Sequence, residues 1–163
     1  MIKKAYVAGG CFWGLEDLLR EQEGVVDTEV GYTGGSNDNP DYNNHDGHAE
    51  ALEITYDDTV TKYKNILDYF FRIHDPTTLD QQGNDTGSAY RSTIFYQDEL
   101  ELSDAKEMIN LVNESGNWDN PVVTTLEKFA KFWPAENYHQ DYLVNNPSGY
   151  TCHFVRAFKS YLE

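Results

Sequence analysis

The chain is poor in cysteine, poor in cations and without a long apolar run. Its 163 residues contain two cysteines, Cys11 and Cys152, near opposite ends of the sequence. Two thiols cannot build the disulfide framework of a small secreted scaffold, and a chain of this length buries a core without staples. Lys and Arg number 12 against 28 Asp and Glu, a formal charge of -16. Nucleic acid and anionic membrane surfaces are therefore repelled, and neither is expected as a partner. The acidity alone reads as a solvated surface that favours solubility. No window approaches a bilayer-spanning apolar segment, and Met1-Ile2-Lys3-Lys4 runs into the first strand candidate with no apolar leader or small-residue cleavage site. The chain is expected in the cytoplasm, where a structural disulfide is unusual and a transient catalytic one is not. Internal repeats, low-complexity tracts and linkers are also missing, so residues 1–163 are expected to form a single domain.

What the sequence does have is Gly9-Gly10-Cys11-Phe12-Trp13-Gly14, set between a strand candidate, Lys4–Ala8, and a helix announced by Leu15, Leu18 and Leu19. The glycines allow a sharp turn, so Cys11 falls at a strand-to-helix junction. Free N–H groups and the positive dipole end at a helix N-terminus favour a thiolate, and a lowered thiol pKa is expected there. A small buried hydrophobe is the commoner fate of an intracellular cysteine, but packing alone requires neither the flanking glycines nor the paired aromatics.

Along the chain, Val26–Tyr32 alternates as a strand, and residues 34–47 are too rich in turn formers and too long for a hairpin. Tyr42 is the sole aromatic in that loop, which hints at docking. His48–Tyr56 alternates again and puts Glu50 on the side of Leu52, Ile54 and Tyr56, the apolar side. A carboxyl group at the mouth of a buried face has its charged form penalised, and can act as an acid near neutral pH. Tyr63 to Ile73 carries a helical apolar stripe that should stop before His74-Asp75-Pro76. A second irregular segment, Thr77–Ser88, leads to a strand at Tyr90–Tyr96. A helix through Leu102 and Val112, a strand at Val122–Leu126, a short helix at Ala135–Leu143 and a loop-like tail with Tyr150-Thr151-Cys152-His153 follow. The β-α-β-β-α-β order predicts an α+β fold: a ferredoxin-like split β-α-β sandwich with an extra C-terminal helix, strand and long irregular tail.

Several motifs fail on inspection. Gly9 and Gly14 have P-loop spacing, but Leu15 stands where the phosphate-binding lysine belongs. His45, His48 and Glu50 lack a second ligand cluster, so no metal site is expected. A calcium loop ending in Asp46-Gly47 would need Tyr42 as its first ligand. A papain-like cysteine hydrolase remains the alternative, with Cys11 as nucleophile and His139 as base beside Asp141 or Asn137. A non-catalytic acidic binding module is a third reading, marked by an ordinary thiol at Cys11.

Five blocks in order, Gly10-Cys11-Phe12-Trp13-Gly14, Gly31-Tyr32-Thr33-Gly34-Gly35, Gly47-His48-Ala49-Glu50, Gln82–Ser92 and His139-Gln140-Asp141-Tyr142-Leu143, resemble the A-type methionine sulfoxide reductases. These are peptide-methionine (S)-S-oxide reductases, and the resemblance runs from about residue 5 to about residue 158. It implies that Cys11 attacks the sulfoxide sulfur while Glu50, Tyr42 and Tyr90 protonate or hydrogen-bond the oxygen, with Asp85 helping to organise the site. Phe12 and Trp13 resemble the aromatic walls around the substrate methyl group. Cys152, after Gly149-Tyr150, resembles the recycling cysteine that condenses with the Cys11 sulfenic acid. The resulting disulfide is then reduced from outside by thioredoxin or, chemically, by dithiothreitol, with no bound cofactor. Many relatives carry a further C-terminal cysteine that this chain lacks, so the resemblance implies direct attack of thioredoxin on the Cys11–Cys152 bond. Protein and peptide methionine sulfoxide are the implied substrates, and a monomer is expected.

Overall fold

The computed structural model describes residues 1–163. Strand β1 (Ile2–Gly9) leads to helix α1 (Phe12–Leu19), strands β2 (Val25–Thr33) and β3 (Ala49–Asp57), and helix α2 (Tyr63–Ile73). A two-strand hairpin, β4 (Gln81–Gln82) and β5 (Asp85–Thr86), precedes strand β6 (Ser92–Tyr96) and helix α3 (Glu99–Glu114). Short elements close the chain: β7 (Thr125–Lys128), β8 (Trp133–Pro134) and α4 (Tyr142–Asn145). The main sheet has six strands in the order β7-β6-β1-β3-β2-β8, and every pair is antiparallel except β6 with β7. The fold is thus mixed α+β, a mostly antiparallel sheet with four helices.

Period-two alternation decides which face each strand residue serves. Ala5, Val7, Val30, Tyr32, Leu52, Ile54 and Ile94 join the helices in a core of 23 buried residues. Tyr6, Ala8, Ala49, Ala51 and Phe95 point to the other face, where Phe129 and Phe132 cover them. Helix α2 places Ile66, Leu67, Phe70 and Ile73 on the core, and it stops at His74, ahead of Pro76, as the sequence predicts. Asp98 caps α3, accepting the Glu101 N–H at 2.8 Å, which satisfies one of the free donors of a helix start.

Two C-terminal expectations need correction. The strand expected at Val122–Leu126 begins only at Thr125, because the Val122 N–H goes to Asn113 Oδ1 and the Val123 N–H to the Pro76 carbonyl. Ala135–Leu143 is not one helix. A 3₁₀ turn at Asn137–His139 gives way to Asp141 at φ 53°, and α4 starts after it. The Gln140 side chain causes the break, since it bonds Val30 N–H and Val30 C=O as a neighbouring strand would. Asp141 is then held in the left-handed region by donating its N–H to buried Glu16 at 2.8 Å.

Candidate active site

Gly10, at φ 95°, turns the chain out of β1. Cys11 follows as the N-cap of α1 and is 7% exposed. The register that sets Ala8 of β1 opposite Ala51 of β3 brings Glu50 alongside this turn. Glu50 is 1% exposed, and its Oε1 accepts the Phe12 N–H at 3.2 Å. A side chain from another strand therefore caps α1. Burial, reinforced by the charge of Asp85 and opposed by the Phe12 N–H, pushes the Glu50 pKa up to about 8, so at neutral pH it is mostly a carboxylic acid.

The lowered thiol pKa expected at Cys11 is not what the site provides. Burial raises it, the nearby Glu50 adds to the rise, and the Trp13 N–H offsets only part. Burial is the main reason, and the cap adds to it, because Glu50 uses the Phe12 N–H that would otherwise face a thiolate. Tyr42 and Tyr90 both have phenol pKa values raised, first by burial and next by Glu50, with Cys11 also contributing. The two phenols therefore share one neighbourhood with the acid and the thiol.

Tyr42 reaches the site because its loop is tied at several points. His48 Nδ1 accepts the Gly35 N–H and its Nε2–H donates to the Asn37 carbonyl. The Tyr42 N–H donates to Glu136 Oε2 at 3.1 Å, while buried Tyr32 donates its hydroxyl to Glu136 Oε1 at 3.0 Å. The Tyr42 ring lies 4.6 Å from that of His139. Trp13 stacks on Tyr142 at 3.8 Å and donates its Nε1–H to His139 Nδ1 at 3.0 Å. Phe12 is fully buried, against Tyr32 and His139. Tyr32 and Gln140, which stand in two of the resemblance blocks without an assigned role, position the site together with Glu16 and Glu136, which the sequence did not single out. The alternation of β2 turns Tyr32 to the core; no local pattern marks Glu16 or Glu136.

The hydrolase arrangement is absent. His139 spends Nδ1 on Trp13, and Asp141 pairs with Arg20 at 2.6 Å, so neither is a base and its partner for Cys11. Asp85 instead faces the tail, accepting the Tyr150 hydroxyl at 3.1 Å, with Cys152 Sγ at 4.0 Å. Both cysteines are free thiols, and Cys152 is near enough to raise the Cys11 pKa further.

The sequence model of the family described as peptide methionine sulfoxide reductase matches residues 3–162. The chain belongs to the peptide methionine sulfoxide reductase family. As a member of that family it is an oxidoreductase. It is 57% identical over 154 residues to the peptide methionine sulfoxide reductase MsrA of Mycolicibacterium vanbaalenii, covering 94% of this chain and 91% of that protein. The reduced form of Mxr1 from Saccharomyces cerevisiae superposes with TM-score 0.88 at 35% identity, over 95% of this chain and 92% of that one. Mxr1 in complex with Trx2 gives TM-score 0.66 at 27% identity, over 95% and 90% of the two chains. No helix of this reductase is long and apolar enough to cross a membrane.

Proposed function

We propose that the chain reduces the S epimer of methionine sulfoxide, in proteins and peptides and as the free amino acid, to methionine. The observation that carries this reading is Glu50, a buried acid bonded to the first turn of the helix that Cys11 caps. A sulfoxide oxygen leaves sulfur only as its charge is neutralised, and a neutral carboxylic acid can supply that proton. Cys11 Sγ attacks the sulfoxide, the Glu50 proton goes to oxygen, and the Cys11 proton replaces it on Glu50. The oxygen ends on Cys11 as a sulfenic acid, and methionine departs. Tyr42 and Tyr90 donate to the oxygen. Phe12 and Trp13 form the apolar walls for the S-methyl group.

Cys152 then condenses with the sulfenic acid, releasing water, and thioredoxin or dithiothreitol reduces the disulfide. The yeast relative crystallised with Trx2 supports that partner class. Asp85, bonded to Tyr150, holds the tail that carries Cys152. The reaction requires no bound cofactor and no metal. Residues 1–163 act as one catalytic domain, monomeric and cytoplasmic, with neither nucleic acid nor membrane as partner. The order β6-β1-β3-β2, with α1 and α2 as crossovers, supports reading the core as the ferredoxin-like split arrangement.

The test compares Cys11→Ser and Cys152→Ser with the parent. Cys11→Ser should lose all reduction of methionine sulfoxide, whereas Cys152→Ser should yield one equivalent of methionine and then stop cycling with thioredoxin. Turnover by Cys11→Ser contradicts the proposal.

A further inference from the structure

His153 has no part in the scheme above, yet it is built into the nucleophile turn. Its ring is buried beneath Gly9-Gly10-Cys11, and its Nε2–H donates to the Gly9 carbonyl at 2.6 Å. That bond fixes the tautomer, leaving Nδ1 as the nitrogen with a free lone pair. Cys152 Sγ lies 3.9 Å from that Nδ1. The glycines around Cys11 make room for the ring: a Cβ on Gly14 would collide with His153 Nδ1 and Thr151 Oγ1, and one on Gly10 would come within 3.3 Å of His153 Cε1. Gly14 is thus a niche for a side chain 144 residues away from Gly9, while Gly10 makes way first for Gln82, whose Cγ a Cβ there would meet at 2.6 Å.

Resting on the proposed reductase chemistry, we infer that His153 is the base of the recycling step, taking the Cys152 proton through Nδ1 as Cys152 attacks the oxidised Cys11. In that step the Cys152–Cys11 S–S bond forms and the Cys11 S–O bond breaks. The thiol proton passes through the imidazole to the departing hydroxide, which leaves as water. Cys152 is oxidised and the Cys11 sulfenic acid reduced, so no outside reagent is consumed. The other acceptors near Cys152 suit the task less well. The Gln82 carbonyl, 3.7 Å away, cannot hold a proton, and the Asp85 carboxylate 4.0 Å away is engaged by Tyr150.

The groups facing the imidazole are His74 behind it, Arg156 further along the tail, and Cys152 with Asp85 and Tyr150 in front. Burial, with Arg156 adding to it and the Gly9 carbonyl opposing, holds His153 down to about 4. Burial raises the Cys152 thiol. Between pH 5.5 and 8 the pair is therefore neutral imidazole and thiol, the state from which a base-assisted attack starts, and its rate should not vary with pH.

The experiment is a single turnover with N-blocked methionine S-sulfoxide, quenched at intervals. Methionine is measured by chromatography and the Cys11–Cys152 bond by mass spectrometry, for the parent and His153→Gln. Glutamine keeps a donor for the Gly9 carbonyl but has no ring nitrogen to accept the proton. The expected result is one methionine at the parent rate, with disulfide formation at pH 7 slowed about 100-fold. In the parent that second rate should be flat with pH, whereas in His153→Gln it should rise tenfold per pH unit because only thiolate attacks. A parent-like disulfide rate in His153→Gln, or a slow but flat one, overturns the inference. So does a parent rate that itself climbs tenfold per pH unit, a result that needs no variant. Loss of methionine formation in the parent condemns the reductase reading instead.

Discussion

Glu50 stands where catalysis and stability oppose each other. Its carboxyl pKa lies near the ordinary 4.5 in the unfolded chain and is pushed up to about 8 by burial on folding. Between those two values the unfolded chain binds fewer protons than the native one, so native stability falls as pH rises. A glutamine there cannot titrate and escapes that loss. Glu50→Gln should therefore slow sulfoxide reduction by roughly 10² to 10⁴ while unfolding at a higher temperature than the parent at pH 7.5, on the order of 5 °C. The thermal advantage should shrink toward pH 4.5, where the native carboxyl is fully protonated and the unfolded one already half so. Kinetics and melting curves at the two pH values check both halves, and a less stable variant at pH 7.5 contradicts the assignment of a buried protonated acid. The position of Glu50 was legible from strand parity alone. Tyr42, Tyr90, Asp85 and Cys152 were not, since their approach to Cys11 depends on loops whose path no local pattern dictates; the family resemblance pointed to them.

At the scale of elements, what could be read was whatever repeats locally. The α2 stripe from Tyr63 to Ile73 and the alternation of β3 carry their own signal. The segment after Ala135 does not, because Gln140 bonds β2 and Asp141 bonds Glu16, contacts separated by more than a hundred residues. Those bonds have measurable consequences. Gln140→Ala leaves the Val30 N–H without its partner, while the Val30 C=O keeps the Ala135 N–H, so it should cost about 1–3 kcal/mol in a denaturant titration. Gly14→Ala is the sharper probe of the tail. Alanine in a helix is ordinarily better than glycine by about 1 kcal/mol, but here the added methyl meets Thr151 and His153. The expected outcome is a displaced tail: methionine still forms in a single turnover while disulfide formation slows at least tenfold. Unchanged disulfide formation means the tail does not need that seat.

For the whole molecule, charge and buried imidazoles set the response to solution conditions. His74 donates Nδ1–H to the Phe70 carbonyl and accepts from Ser92, with its pKa held down to about 3 by burial. A histidine depressed on folding binds fewer protons in the native state than in the unfolded one, so stability is full above about pH 6.5 and drains away as pH falls. At pH 5 the cost is about 2 kcal/mol for each such group. His74→Gln should therefore show a smaller drop in melting temperature between pH 7 and pH 5 than the parent, whatever its absolute stability. The formal charge of -16 acts separately. Raising the ionic strength from about 0.01 M to 0.15 M shortens the screening length from about 30 Å to 8 Å and should raise the melting temperature by relieving self-repulsion.

The measurement that bears most directly on the central claim is a single turnover of the reduced protein with the separated S and R epimers of an N-blocked methionine sulfoxide. Attack by Cys11 beside the Glu50 acid predicts one equivalent of methionine from the S epimer, none from the R epimer, and oxidation confined to Cys11 and Cys152. Consumption of the R epimer, or of neither, would contradict it.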